Sequence, residues 1–239
     1  MSEPYYSDEW VTLYHGDCRD VDLPDESVDV LLTDPPYGMA FQSGWDTIRK
    51  SGPIRSDGVR QGMRVVGAAL SHLAPSFKPD LHALVFCHWE SWPDFYDRLS
   101  SHFTIKNALI WWKHGGGMGD LKVEYAKDYE VILYGVRSLS REINGKRPGA
   151  VLECPRVPAS QRYVPFEKPI ALLAGLVERH SRPGDLILDP FAGSGSTLVA
   201  AKALGRRAVG VELEERYAEI AARRLSQDVL DFEEGVVKS

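Results

Sequence analysis

An acid, two prolines and an aromatic residue, Asp34-Pro35-Pro36-Tyr37, close an apolar run over residues 28–32. The run reads as a buried strand. Neither proline has an N–H for a sheet ladder, and Pro35 restrains Asp34 to an extended backbone. The predicted result is a stiff turn at a strand end, presenting a carboxylate, the Pro35 carbonyl and the face of Tyr37. Two acceptors and a stacking face suit a flat ring that bears an amine. The same residue types also end strands as ordinary turns, so the rest of the chain decides between the two readings.

A second group of residues lies in the last third. The apolar stretch 186–189 ends at Asp189, and Pro190-Phe191-Ala192-Gly193-Ser194-Gly195-Ser196 is a small-residue loop opening a helix at Thr197. The next strand, 208–212, ends at Glu212. Strand, glycine turn, helix, strand and terminal acid together form the arrangement that holds a nucleoside-bearing cofactor. Gly193 and Gly195 allow close backbone approach, and Glu212 stands about twenty residues on, where a carboxylate binds ribose hydroxyls. The turn lacks both the third glycine of the dinucleotide fingerprint and the Gly-Lys-Ser/Thr of a phosphate loop. An adenosyl group on a sulfonium amino acid fits it better than a dinucleotide or ATP.

These residues need a sheet to position them. Strands are expected over 11–14, 28–33, 83–87, 103–112, 129–134, 186–189 and 208–212. Helices are expected over 63–73, 92–99 (capped by Ser91), 171–180, 197–204 and 214–225. In a doubly wound sheet the cofactor loop usually comes first, whereas here it comes last, and no strand follows Glu212. The segment 11–14, with Asp17 just beyond, can supply that strand from the N-terminus. A circularly permuted sheet explains both facts, given that chain termini often lie close together. The expected fold is therefore α/β, with a mostly parallel central sheet, helices on both faces, and one domain over 1–239. Two irregular stretches, 38–62 and 137–165, are read as loops. The first holds five glycines and Arg49, Lys50, Arg55 and Arg60; the second holds Arg137, Arg141, Lys146, Arg147, Arg156 and Arg162.

Gly16-Asp17, Asp34-Pro35-Pro36-Tyr37, Glu167-Lys168-Pro169 and Asp189-Pro190-Phe191-Ala192-Gly193-Ser194-Gly195-Ser196-Thr197 occur in that order. The set resembles the amino-group DNA methyltransferases of the permuted β class, from about residue 11 to 225. The resemblance implies a Rossmann-like methyltransferase fold and S-adenosylmethionine as methyl donor. It implies a pocket lined by Phe191, Ala192, Gly193, Ser194, Gly195, Ser196 and Thr197 after Asp189. Glu212 would hold the ribose, Asp17 would lie near the adenine amine, Lys168 would help hold the methionine end, and Cys18, Asp34 and Leu213 would complete the cofactor-binding set. Asp34, Pro35, Pro36 and Tyr37 would be the catalytic turn. The family often has His-Pro ahead of the Lys-Pro pair; Val164-Pro165 stands here, so no histidine role follows.

An exocyclic amine on a nucleobase is a poor nucleophile, because its lone pair is delocalised into the ring. Acceptors on both its hydrogens would favour a pyramidal nitrogen, and positioning and electrostatics would supply most of the acceleration. Inside a duplex the base is out of reach, so it must be flipped out. Ring-carbon methylation would need a cysteine nucleophile, usually after a proline, and none of Cys18, Cys87 and Cys154 follows one. The three cysteines show no metal-ligand spacing and fit free thiols of a reducing cytoplasm. No apolar run is long enough for a membrane span. By the same resemblance, Asp34 at the head of the turn leans the substrate toward the adenine N6 amine in double-stranded DNA. N4-cytosine methylation on the same scaffold, RNA or protein amide methylation, and an inactive DNA-binding subunit are the alternatives. With a net charge of −6, a polyanion must meet a local basic patch, so DNA contact is expected at 38–62 and 137–165. By the resemblance, the chain pairs as a homodimer. Trp111 and Trp112 both read as core, and His114 as a loop residue.

Overall fold

The computed structural model describes residues 3–36, 55–115, 122–123, 125–139 and 141–227, and of 55–61 the backbone alone. Among the described residues nine strands form one sheet: β1 (Tyr6–Ser7), β2 (Val11–His15), β3 (Val28–Thr33), β4 (Phe77–Cys87), β5 (Thr104–Trp112), β6 (Tyr129–Val136), β7 (Val151–Glu153), β8 (Leu186–Asp189) and β9 (Arg207–Glu212). Their spatial order is β1-β2-β9-β8-β3-β4-β6-β5-β7. β1 and β6 run against the rest.

The N-terminal strand completes the C-terminal half: β2 pairs with β9 in parallel, His15 opposite Glu212. The expected permutation is thus present in the register. Strand order reverses between β8 and β3, which pair in parallel through Val30–Ile187 and Leu31–Leu188. In open α/β sheets, ligands bind at the carboxyl ends of the strands beside such a switch point.

Alternation along the strands separates two apolar layers. Val30 and Leu32 of β3, with Leu84 and Phe86 of β4, pack beneath α3 (Ile170–His180), α4 (Ser196–Ala203) and α5 (Glu215–Ser226). Leu31, Ala83 and Val85 face the other way, onto α1 (Arg55–Leu73) and α2 (Trp92–Ser100). With both faces covered, β3 is buried along its whole length, which is why it reads as a mostly apolar run broken only by Asp29 before Thr33.

Several expectations need correction. The helix expected from residue 63 begins at Arg55, so 55–62 is not loop; the segment 37–54, Tyr37 included, lies outside the described residues. Gly58, Gly62 and Gly67 each lower helix propensity, yet Gly62 is buried, and a Cβ on Gly67 would stand 2.8 Å from Arg98. Tertiary packing overrides the local signal. The stretch 137–165 is not uniformly irregular: β7 adds to the sheet beside β5, followed by a 3₁₀ turn, Ala159–Gln161. Ser91 does not cap α2 through its side chain; its hydroxyl donates back to the His88 carbonyl. Trp111 is core at 2% exposure, but Trp112 is 40% exposed, because neighbouring strand residues face opposite sides.

Candidate active site

Topology rearranges the acids singled out above. In sequence they run 17, 34, 189, 212; across the sheet they run Asp17, Glu212, Asp189, Asp34, at or just past the ends of β2, β9, β8 and β3. Four carboxylates thus line one edge of the switch point.

Asp189 is buried at 2% exposure. It accepts from the Thr33 hydroxyl of the adjacent strand at 2.7 Å and from the Phe191 N–H at 3.2 Å, and it also bonds the Thr197 hydroxyl. Burial pushes its pKa up to about 6 against these donors. Asp189 therefore ties β3 and the start of α4 to the glycine loop. The loop itself is tight: the Gly195 N–H bonds the Ala192 carbonyl at 2.8 Å, with Gly193 at φ +54° and Gly195 at φ +78°. Both are left-handed, where a side chain is disfavoured. They differ in surroundings. A Cβ on Gly193 would meet nothing within 4 Å, whereas one on Gly195 would lie 2.8 Å from the Ala221 Cβ of α5. Gly193 faces open space and Gly195 faces helix.

Glu212 accepts from the Gly193 N–H at 2.7 Å and the Glu214 N–H at 2.8 Å, one on each carboxylate oxygen. Each oxygen keeps a lone pair for a further donor. Burial raises the pKa of Glu212. Asp17 is forked by Arg19, whose Nε and backbone N–H lie 2.8 and 2.9 Å from Oδ1, and is held down to about 2 by that partner. Cys18 is buried beside it with Val21, Ala69 and Val211; Phe191 packs on the same cluster. Leu213 is 65% exposed.

Glu167 and Lys168 reach into opposite halves of the site. Lys168 is buried at 6% exposure; its ammonium is paired with the Asp34 carboxylate and stands 3.2 Å from Glu130 Oε2. Burial works against the Lys168 charge, but Asp34 and Glu130 outweigh it and hold its pKa above the ordinary lysine value. Glu130 in turn pairs with Lys113 at 2.6 Å. Glu167 turns toward the glycine loop: its Oε1 lies 2.9 Å from Arg224 Nη1 and 3.3 Å from the Ser196 hydroxyl, while its Oε2 accepts from the Tyr163 N–H at 2.8 Å. Arg224 also donates to the Ser194 carbonyl and hydroxyl at 2.8 and 2.9 Å and lies under the Tyr163 ring. This clamp leaves Phe166 exposed at φ +64°, a strained backbone for a bulky residue.

Sequence reading missed Glu130, Lys113, Thr33, Tyr163 and Arg224. Glu130 sits in an apolar strand and Arg224 among ordinary helix charges, so neither carried a local signal. Arg141, expected at DNA, is a fold residue: its guanidinium lies 3.1 Å from Asp185 Oδ2 and bonds the His180 carbonyl at 2.6 Å and the Asp29 carbonyl at 3.3 Å. Asp29 and Asp185 stand at the starts of β3 and β8, the edge away from Asp34. His114 is a loop residue as expected, stacked on Trp112 and 2.7 Å from Glu153.

The comparisons agree with this geometry. Residues 136–223 match the N6/N4 methyltransferase family model described as "DNA methylase". The chain is 30% identical over 221 residues to "Putative methylase YubD" of Escherichia coli strain K12, covering 88% of each. It is 27% identical over 279 residues to "DNA adenine methyltransferase YhdJ" of the same strain, covering 92% of this chain and 84% of the other. Among solved structures, the M1.HpyAVI–SAM complex superposes with a TM-score of 0.71 at 24% identity, over 90% of this chain and 99% of that one, a likeness of fold. This chain belongs to the N6/N4 DNA methylase family.

Proposed function

We propose that this protein transfers a methyl group from S-adenosylmethionine to the N6 amine of an adenine flipped out of double-stranded DNA. The observation that carries the reading is the edge formed by β2, β9, β8 and β3, with Glu212 on β9 beside the open face of Gly193 and Asp34 two strands away after β3. Residue types fit the donor: Glu212 keeps lone pairs for ribose hydroxyls, Asp17, Cys18 and Phe191 border the strand end beside it, and the carboxylates of the edge suit a cation. Bound there, S-adenosylmethionine would supply an electrophilic methyl on sulfonium sulfur.

The chain's own residues would prepare the nucleophile. The Asp34 carboxylate and Pro35 carbonyl accept the two amine hydrogens, and Tyr37 stacks on the ring. Lys168 pairs with the Asp34 carboxylate and fixes it in the turn. No covalent intermediate on the protein is needed. The relative YhdJ carries an adenine name, and Asp at the head of the turn resembles the adenine enzymes. The family model spans both N6 and N4 amines, so N4-cytosine is the rival. DNA contact is assigned to 154–165 and 37–54. A homodimer, a single domain over 1–239 and a cytoplasmic setting complete the reading; among the described residues no helix is long and apolar enough to cross a membrane. Sedimentation showing only monomer at working concentration would remove the dimer. Nucleoside mass spectrometry of treated plasmid is expected to show N6-methyladenine. N4-methylcytosine without N6-methyladenine would overturn the choice of base.

A further inference from the structure

We infer that Glu130 is a positioning residue that holds the Lys168 ammonium between two carboxylates and so sets how strongly Asp34 can accept from the target amine. The inference deepens the methyl-transfer reading and rests on it. Its basis is a chain of alternating charge across the site edge: Lys113 just after β5, Glu130 in β6, Lys168 before α3, and Asp34 just after β3. β6 runs against its neighbours, so its start, not its end, lies at the site edge. That reversal brings an acid from another part of the chain to the same edge as Asp34.

The geometry makes the sharing unequal. Lys168 is in hydrogen-bonding contact with Asp34, while Glu130 Oε2 lies within ion-pair range but off the hydrogen-bond direction. Among the described residues it is the one buried side-chain oxygen without an aligned donor. The Phe86 ring stands 5.1 Å from the ammonium. The lysine side chain is 5% exposed and those of Glu130 and Lys113 are 16% and 12%, so solvent screens these charges weakly. Burial opposes the Glu130 carboxylate, but Lys168 and Lys113 outweigh it and keep it ionised. Asp189, Cys87 and His88 also feel this cluster. Removing the Glu130 charge would strengthen the hold of Lys168 on Asp34 and draw electron density away from the oxygen that must face the amine. Removing Lys113 would do the reverse, because Glu130 would then draw on Lys168 alone.

The test is Glu130→Gln, which keeps the side-chain shape and can still accept from Lys113. Its kcat is expected to fall about tenfold, the rate equivalent of roughly one pKa unit, with S-adenosylmethionine affinity within about twofold of wild type. The Asp34 carboxyl, followed by carbon-13 NMR, is expected to titrate lower in Glu130→Gln and higher in Lys113→Met. In the double variant, Lys113→Met should add no upward shift, since the coupling passes through Glu130. Unchanged kcat, an unmoved Asp34 titration, additive shifts, or parallel loss of kcat, affinity and melting temperature would each overturn the inference. Wild-type protein without methyl transfer would sink the reaction itself, and the Asp34 titration would still decide whether Glu130 governs its charge.

Discussion

The two glycines of the cofactor loop make separable predictions. Both sit at positive φ, so alanine at either costs about 1–2 kcal/mol in backbone conformation. At Gly193 that is the whole structural cost, since the new Cβ meets nothing within 4 Å. At Gly195 the Cβ would lie 2.8 Å from the Ala221 Cβ and 3.3 Å from its Cα. α5 must then move, and overpacking of this kind adds about 1–3 kcal/mol. For a domain of this size each kcal/mol lowers the melting temperature by roughly 2–4 °C. Gly193→Ala should therefore melt only a few degrees low, while Gly195→Ala should melt about 5–15 °C low. Affinity should go the other way: the open face of Gly193 is where the donor is proposed to approach, so Gly193→Ala should bind S-adenosylmethionine at least about tenfold more weakly. Differential scanning calorimetry and titration calorimetry read the two effects on the same samples. An unchanged Gly193→Ala affinity, or a Gly195→Ala that melts like wild type, would refute the division of roles.

Two other predictions concern the far edge of the sheet and the DNA. His82 and His180 are buried with their Nδ1 atoms 3.0 Å apart, and His82 Nε2 donates to the Arg141 carbonyl, so His180 supplies the proton between the rings. Burial, then His82 and Arg141, hold His180 down to about 3; its folded pKa is below its unfolded value, so its stabilising share is intact above about pH 6.5 and is lost as pH falls toward 3, by roughly 1.4 kcal/mol per unit. Urea melts at pH 7.5 and 5 should show wild type losing about 2 kcal/mol more than His180→Gln; equal losses would contradict it. Replacing Arg156 and Arg162 by Ala should flatten the salt dependence of DNA binding by about 0.9 for each phosphate no longer neutralised, whereas replacing Lys146 and Arg147, on the segment that Arg179 and Asn144 strap to the end of α3, should leave the slope alone. The opposite pattern would return DNA binding to 141–147.

What could be read beforehand was what a strand announces about itself. Apolar runs ending at Asp34, Asp189 and Glu212 locate three of the acids, and the position of the glycine loop late in the chain points to an N-terminal strand beside β9. What could not be read was anything set by pairing. Glu130 occupies an inner strand whose reversed direction is a property of the sheet. Arg224 differs from Arg223 next to it only in facing the glycine loop, where Arg223 pairs with Glu219 on the surface. Arg141 reads in sequence as one loop cation among several, and only the fold sets Asp29 and Asp185 beside it.

The central claim, that Asp34 acts on the target amine and not on the fold or the donor, is tested most directly by Asp34→Asn. The substitution keeps the shape of the side chain beside Lys168 and removes its charge. Single-turnover methyl transfer to DNA should fall by at least about two orders of magnitude, as for loss of a transition-state hydrogen-bonding group, with S-adenosylmethionine affinity within a few-fold of wild type. Near-normal transfer by Asp34→Asn would contradict the account.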